Sequence, residues 1–145
     1  MRGSQVYSDL VSPMSPTADE RDALFKAFAR HFFKRDLDAM YEVVTEDFTY
    51  SILVGDEPRV MDSREQVAAF MEERSGTQTG VRFEDVVYHH AAEATFMTYR
   101  VTGTDTASGE PFERVGIERY TFQDNRIAEK DVFSRPVPLT TGPTG

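Results

Sequence analysis

The sequence contains no cysteine and no tryptophan. Without thiols there are no disulfides, no thiolate metal ligands and no cysteine nucleophile. Positive charge is scarce: 16 Lys and Arg stand against 25 Asp and Glu, a net charge of −9. That balance, with no Lys/Arg cluster to offset it, argues against nucleic acid and anionic membrane surfaces as partners. No apolar run approaches the length of a membrane-crossing helix, and Gly3, Ser4, Gln5, Ser8 and Asp9 interrupt any apolar leader. The expectation is a soluble, cytoplasmic protein. Metal-ligand spacings, a Gly-rich phosphate loop, a G-x-S-x-G elbow and a heptad seam are also missing. The sequence therefore implies neither a metal nor a cofactor.

What is present is an ordinary globular composition with 11 Phe and 6 Tyr, ample aromatic volume for a core or a pocket wall. At 145 residues the chain has the length of one domain. Residues 1–16 are punctuated by Ser-Pro pairs and read as a flexible arm. Residues 17–135 carry the domain, and 136–145 have the composition of a flexible tail. Thr17-Ala-Asp-Glu20 is a capping box that opens a helix to about Lys34. Its apolar stripe is Leu24, Phe25, Phe28, Phe32 and Phe33, with Arg21, Lys26 and Arg30 outside. Asp36 caps a short second helix whose inner side is Leu37, Met40, Val43 and Val44. Asp47–Val54 reads as a strand, Gly55–Pro58 as a turn and Arg59–Met61 as a short return strand. Ser63-Arg-Glu-Gln66 is a second capping box, opening a helix through Val67, Phe70 and Met71 that ends near Gly76. Two strands, Val81–His90 and Glu93–Gly103, then precede a polar loop at Asp105–Pro111. The fold class is α+β, with about three helices gathered on one side of a strongly curved sheet.

Val115–Phe133 is a β-hairpin by its two β-branched and aromatic runs around Gln123, Asp124 and Asn125. A three-residue loop predicts Phe122 opposite Arg126, Tyr120 opposite Ala128 and Glu118 opposite Lys130. The face Glu118, Tyr120, Phe122, Ala128, Lys130, Val132 then sets one carboxylate and one ammonium among apolar groups. That pattern fits a pocket wall or a solvated ion pair.

Five stretches, taken in order, resemble the SnoaL-like branch of the NTF2-like superfamily, which includes ketosteroid isomerase. They are Phe33-Lys-Arg-Asp-Leu-Asp-Ala-Met40, Glu46-Asp-Phe-Thr-Tyr50, Val54-Gly-Asp-Glu-Pro-Arg59, Ser63–Phe70 and Gln123-Asp-Asn-Arg-Ile-Ala-Glu129. The resemblance spans roughly residues 20–134. It implies a cone of helices and curved sheet around an apolar pocket, as a homodimer. It also implies where isomerase chemistry would lie. The position of the general base holds Ile52, the position of the oxyanion-binding Tyr holds Phe28, and the third acid falls on Glu118. With two of three groups apolar, steroid isomerisation by that route is disfavoured.

The same alignment turns Phe96, Thr98, Arg100 and Thr102 inward, together with Tyr50, Ile52, Phe28, Phe32 and Phe70. With Glu118, Tyr120 and Lys130 they would line a cavity for a small apolar ligand. Among aromatic side chains a carboxylate is pushed up by desolvation and down by a nearby cation, the balance that proton transfer uses. Glu118 is thus the expected proton carrier, with Lys130 and Arg100 as electrostatic partners, and Tyr50, Tyr120 or His31 as helpers. His31, at the edge of the helical stripe, is the alternative base. The bland alternative is a cross-strand ion-pair cluster of Glu118, Lys130 and Arg100 at a rim or dimer face. A one-residue slip in strand parity would turn such groups outward. His89 and His90, adjacent on a strand, face opposite ways and cannot chelate one metal. Asp36 and Asp38 read as helix capping, and Asp56-Glu57 as a turn at the pocket rim. The expected function is a cofactor-independent isomerase, cyclase or dehydratase acting on an apolar carbonyl compound. The alternative is a non-catalytic ligand-binding or dimerisation module, or an accessory subunit.

Overall fold

The computed structural model describes residues 15–54 and 56–138. The arm expected over 1–16 and the tail over 136–145 therefore lie largely outside the described residues. Helix α1 spans Ala18–Lys34. Thr17 Oγ1 accepts from the Glu20 amide at 3.2 Å and Glu20 Oε1 accepts from the Thr17 amide at 2.8 Å, closing the capping box. Arg35 ends the helix in the left-handed region at φ 55°. Leu24, Phe25 and Phe28 are buried as the stripe predicts, but its far end departs from expectation, with Phe33 60% exposed.

Arg21, expected on the wet side, is only 4% exposed. It precedes Leu24 by three residues and Phe25 by four, so it shares their face. Burying it is tolerable because the guanidinium finds a full set of acceptors: the carbonyls of Pro16 (2.9 Å), Ala91 (2.6 Å), Ala92 (2.9 Å) and Ala94 (3.2 Å), and Thr95 Oγ1 (3.1 Å). It thereby ties α1 to the turn between two strands.

Helix α2, Leu37–Met40, starts at Asp36, whose side chain accepts from the Ala39 amide. Strand β1 is Val44–Val54 and β2 is Glu57–Met61. Helix α3 is Arg64–Thr77. Ser63 Oγ accepts from the Gln66 amide, while the Gln66 side chain reaches the Asp62 amide, one residue before the one a capping box would use. Strands β3 (Gln78–His90), β4 (Ala94–Asp105), β5 (Pro111–Gln123) and β6 (Arg126–Pro136) complete the chain.

The sheet order is β2-β1-β6-β5-β4-β3. Every pairing is antiparallel except β1 with β6. One register row, Met61–Tyr50–Lys130–Tyr120–Thr95–His90, crosses all six strands. Apolar residues of α1, α3 and the inner sheet face form one core, the α+β cone anticipated from the element order. Among the described residues no helix is long and apolar enough to cross a membrane.

Two strand registers correct the expectation. Asp124 and Asn125 both have positive φ, 53° and 59°, so the β5–β6 turn has two central residues, not three. A bulge at Ala128 then shifts the pairing, which becomes Glu118 opposite Val132 and Tyr120 opposite Lys130. Beyond the bulge the shift from the expected register is two residues, so Glu118, Tyr120, Lys130 and Val132 keep their face, whereas Ile127, opposite Phe122 and fully buried, takes the inward place expected of Ala128. On β4 the error was one residue. Thr95, Met97, Tyr99 and Val101 are the buried set, which leaves Phe96, Thr98, Arg100 and Thr102 on the outer face. The reason is hydrophobic: Met97, Tyr99 and Val101 form the more apolar of the two alternations, while the other carries the Arg100 guanidinium.

Candidate active site

The inward residues of β5, in order, are Phe112, Arg114, Gly116, Glu118 and Tyr120. Their neighbours on β4 are Gly103, Val101, Tyr99, Met97 and Thr95. Two glycines make room in this layer. A Cβ at Gly103 would stand 2.7 Å from the Phe112 ring, and one at Gly116 would stand 2.5 Å from the Tyr99 hydroxyl. Both aromatic rings therefore lie across the neighbouring strand instead of standing upright.

Above this layer lies a cavity of about 830 Å³, bounded by Phe32 and Phe33 of α1 and by Phe70, Met71 and Arg74 of α3. That volume suits a small organic molecule. Its walls also include Tyr50, Ile52, Tyr99 and Val132, and its inner end is closed by Glu118 and Lys130. Arg35, Asp56, Arg74 and Gln78 lie along its lining as well.

Glu118 is 3% and Lys130 5% exposed. Glu118 Oε1 lies 3.5 Å from Lys130 Nζ and accepts a hydrogen bond from the Tyr120 hydroxyl. The Lys130 ammonium is boxed by aromatic faces, with Phe32 at 4.4 Å, Tyr50 at 4.8 Å and Phe28 at 5.2 Å from ring centre to Nζ. Burial by itself lowers the Lys130 pKa. The Glu118 carboxylate, with smaller contributions from Tyr50 and Tyr88, outweighs it, and the value lies above that of an ordinary lysine. Tyr50, Tyr99 and Tyr120 are all raised, by burial first. For Tyr99 and Tyr120 the neighbouring Glu118 charge adds to it. These phenols stay protonated and serve as hydrogen-bond donors.

The structure places Glu118, Lys130, Tyr50, Ile52, Phe32 and Phe70 on the cavity wall. Tyr120 sits one layer below, reaching the cavity only through Glu118. Phe28 is buried beneath Lys130, and His31 is half-buried on α1 away from the cavity lining. Arg100 does not belong to the site. It lies on the outer face with Glu84 at 2.6 Å, Asp85 at 3.4 Å and Glu113 at 3.5 Å. His90 contacts Thr95 and Asp22, while His89 contacts Thr98 on the other face. Among the described residues no group of three His, Cys, Asp or Glu could hold a metal ion.

The cavity residues missed in the sequence include Tyr99, Arg114 and Arg74. The signal for Arg114 was available, since it precedes Glu118 by four residues on one strand and must share its face. Tyr99 was hidden by the one-residue parity error on β4. Arg74 had no local signal, lying in the last turn of a helix whose sequence looks solvated.

The arrangement matches solved structures of low sequence identity. An NTF2-like protein from Burkholderia xenovorans superposes with a TM-score of 0.73 at 16% identity, covering 82% of this chain and 92% of that one. A protein proposed to be a polyketide cyclase, from Xanthomonas campestris, gives 0.65 at 18% identity over 79% and 89%. A Catenulispora acidiphila protein with a ketosteroid isomerase-like fold gives 0.62 at 14% over 76% and 83%. At these identities the likeness concerns the fold. No curated protein matches the chain. The profile of the SnoaL-like domain matches residues 23–130, most of the chain and every element from within α1 to the middle of β6. By that match the chain belongs to the SnoaL-like family, and its fold is the one those NTF2-like structures share.

Proposed function

We propose that this protein is a cofactor-independent enzyme that moves a proton on an apolar, carbonyl-bearing small molecule, an isomerase, cyclase or dehydratase by class. The observation that carries the proposal is the Glu118 carboxylate at the inner end of a cavity otherwise walled by aromatic and aliphatic side chains. A carboxylate there can take a proton from the carbon beside a carbonyl and return it elsewhere on the same molecule. Lys130, held charged beside it, and the Tyr99 and Tyr50 hydroxyls supply positive charge and donors for an oxygen that becomes anionic. Tyr120 positions the carboxylate from below.

The test starts with cyclic ketones screened by thermal shift. Exchange of the protons beside the carbonyl is then followed by NMR in heavy water. Glu118→Gln, confirmed folded by circular dichroism, is expected to slow exchange by about 100-fold or more. Unchanged exchange would remove Glu118 from the chemistry. It would favour the second reading, a binding module, which the mutual pairing of Glu118 and Lys130 supports.

We further propose that the protein is a homodimer built on the outer sheet face. There Val87, Thr98, Ile117 and Phe133 are register partners in one row across four strands. Val87, Ile117 and Phe133 are all exposed, an apolar strip that water does not favour. Ile117→Asp should sediment as a monomer where the native chain sediments as a dimer. A monomeric native chain, or a dimeric variant, overturns this.

A further inference from the structure

We infer that the cavity selects organic anions: its ligand carries a carboxylate on an apolar body, with the carboxylate bound by Arg114. The chain is acidic overall, yet its cavity is lined by four cations, Arg35, Arg74, Arg114 and Lys130, against two acids, Asp56 and Glu118. Lys130 and Glu118 neutralise each other at the inner end. The remainder of the cavity thus holds three guanidinium groups and one carboxylate, an inversion of the protein's own charge that draws in an anion.

Arg114 is the best placed of the three. It is half-buried, and Ser134 fixes it through Nε to Oγ at 2.9 Å and Nη2 to the carbonyl at 3.1 Å. Those two bonds use two of its N–H groups and orient the planar fork, leaving the others available for a carboxylate. Among the described residues no ion pair involves Arg35, Arg74 or Arg114, whereas Arg59, Arg64, Arg100 and Arg119 are each paired with an acid. Arg74 adds positive charge from α3, its guanidinium 4.8 Å above the Phe70 ring.

The spacing sets the size of the ligand. Arg114 and Glu118 lie on one face of β5 four residues apart, roughly 13 Å along the strand. A molecule bound at both ends has its carboxylate at Arg114 and its reacting carbon at Glu118. Two or three rings, or a chain of similar length, fill the distance between. This deepens the proton-transfer proposal for the same cavity, but its test reads binding and needs no turnover. Failure of one is therefore separable from failure of the other.

The probes are biphenylcarboxylate and neutral biphenylmethanol, titrated calorimetrically into the whole protein. The native chain is expected to bind the carboxylate about tenfold or more tightly than the alcohol, with the preference shrinking as salt rises. Arg114→Gln should abolish the preference while leaving the alcohol's affinity unchanged, and Arg114→Lys should restore part of it. Equal affinities in the native chain, no binding of the carboxylate, or an equal loss for both probes in Arg114→Gln overturns the proposal. If Arg114→Gln does not fold, Arg114→Lys and the salt dependence of the native chain decide. A preference weakened in Arg114→Lys and shrinking as salt rises upholds the proposal, and one undiminished in Arg114→Lys or indifferent to salt overturns it.

Discussion

Replacing Glu118 by Gln changes one charge at nearly constant shape, and the structure allows the cost to be worked out. The amide oxygen still accepts from Tyr120, so that hydrogen bond survives. The Lys130 ammonium loses its carboxylate at 3.5 Å while remaining almost fully buried. Removing one partner of a buried pair costs about 3–5 kcal/mol, because an uncompensated charge stays behind. Three aromatic faces still solvate the ammonium and the cavity admits some water, so the lower end applies, about 3 kcal/mol. For a domain of this size that is a fall in Tm of roughly 6–12 °C. The assay is urea unfolding followed by circular dichroism, with the slope unchanged and the midpoint lowered. Lys130→Met should fall by a similar amount. The double replacement Glu118→Gln with Lys130→Met should return to within about 1 kcal/mol of the native chain, because no buried charge is then left unpaired. A single Glu118→Gln variant as stable as the native protein would refute the reasoning. So would a double variant that simply adds the two losses.

Alkaline pH should unfold the protein. Tyr50, Tyr88, Tyr99 and Tyr120 are raised above the ordinary 10.0, by burial first, and Lys130 above 10.5 by the Glu118 carboxylate acting against burial. Each is protonated more readily in the folded than in the unfolded chain. Its contribution is therefore complete below about pH 10 and lost as pH rises towards the folded value. Tyrosinate absorbance should rise together with the loss of circular dichroism, and phenols that titrate near 10 in a folded protein would contradict this. Arg21→Met removes the guanidinium donor from the buried Pro16 carbonyl and from the part-buried Ala91 and Ala92 carbonyls and should lower stability by about 2–4 kcal/mol in urea titrations. A loss under about 0.5 kcal/mol would mean that water replaces the guanidinium. Gly116→Ala drives a methyl group into Tyr99 and should cost about 1–3 kcal/mol by the same measurement. Gly116→Ala combined with Tyr99→Leu should lose less than Gly116→Ala alone.

The helices were legible because their starts are written locally. Thr17 with Glu20, Asp36 and Ser63 each place a side-chain oxygen where free amides need it. The hairpin face was legible because Arg119, Thr121, Glu129 and Asp131 alternate with Glu118, Tyr120, Lys130 and Val132 on two adjacent strands. Its register was not, because the choice between a two- and a three-residue turn rests on the backbone angles of Asp124 and Asn125, which several residue types permit. The inner face of β4 was misread because both of its alternations contain aromatic and threonine residues. The deciding fact, that Arg100 meets Glu84 and Glu113 from the neighbouring strands, is a tertiary one. Arg21 was misplaced for a related reason: a buried guanidinium is tolerable only where carbonyls from a distant turn converge on it. The charge inversion of the cavity was likewise out of reach, since Arg35, Arg74 and Arg114 come from three separate segments.

The position of β6 bears on how the protein is made. It is the last of the six strands among the described residues yet lies between β1 and β5. Until it docks, the β1–β2 hairpin and the β3–β4–β5 meander have no common hydrogen-bonded neighbour, and each presents a bare edge. The joining contact, Tyr50 beside Lys130, spans eighty residues of chain, a high-contact-order closure of the kind that slows folding. The same event brings Lys130 to Glu118, so chemical competence and topological completion coincide. A nascent chain paused before residue 126 would display two sticky sheet fragments and no pocket, which is the interval in which a chaperone matters most.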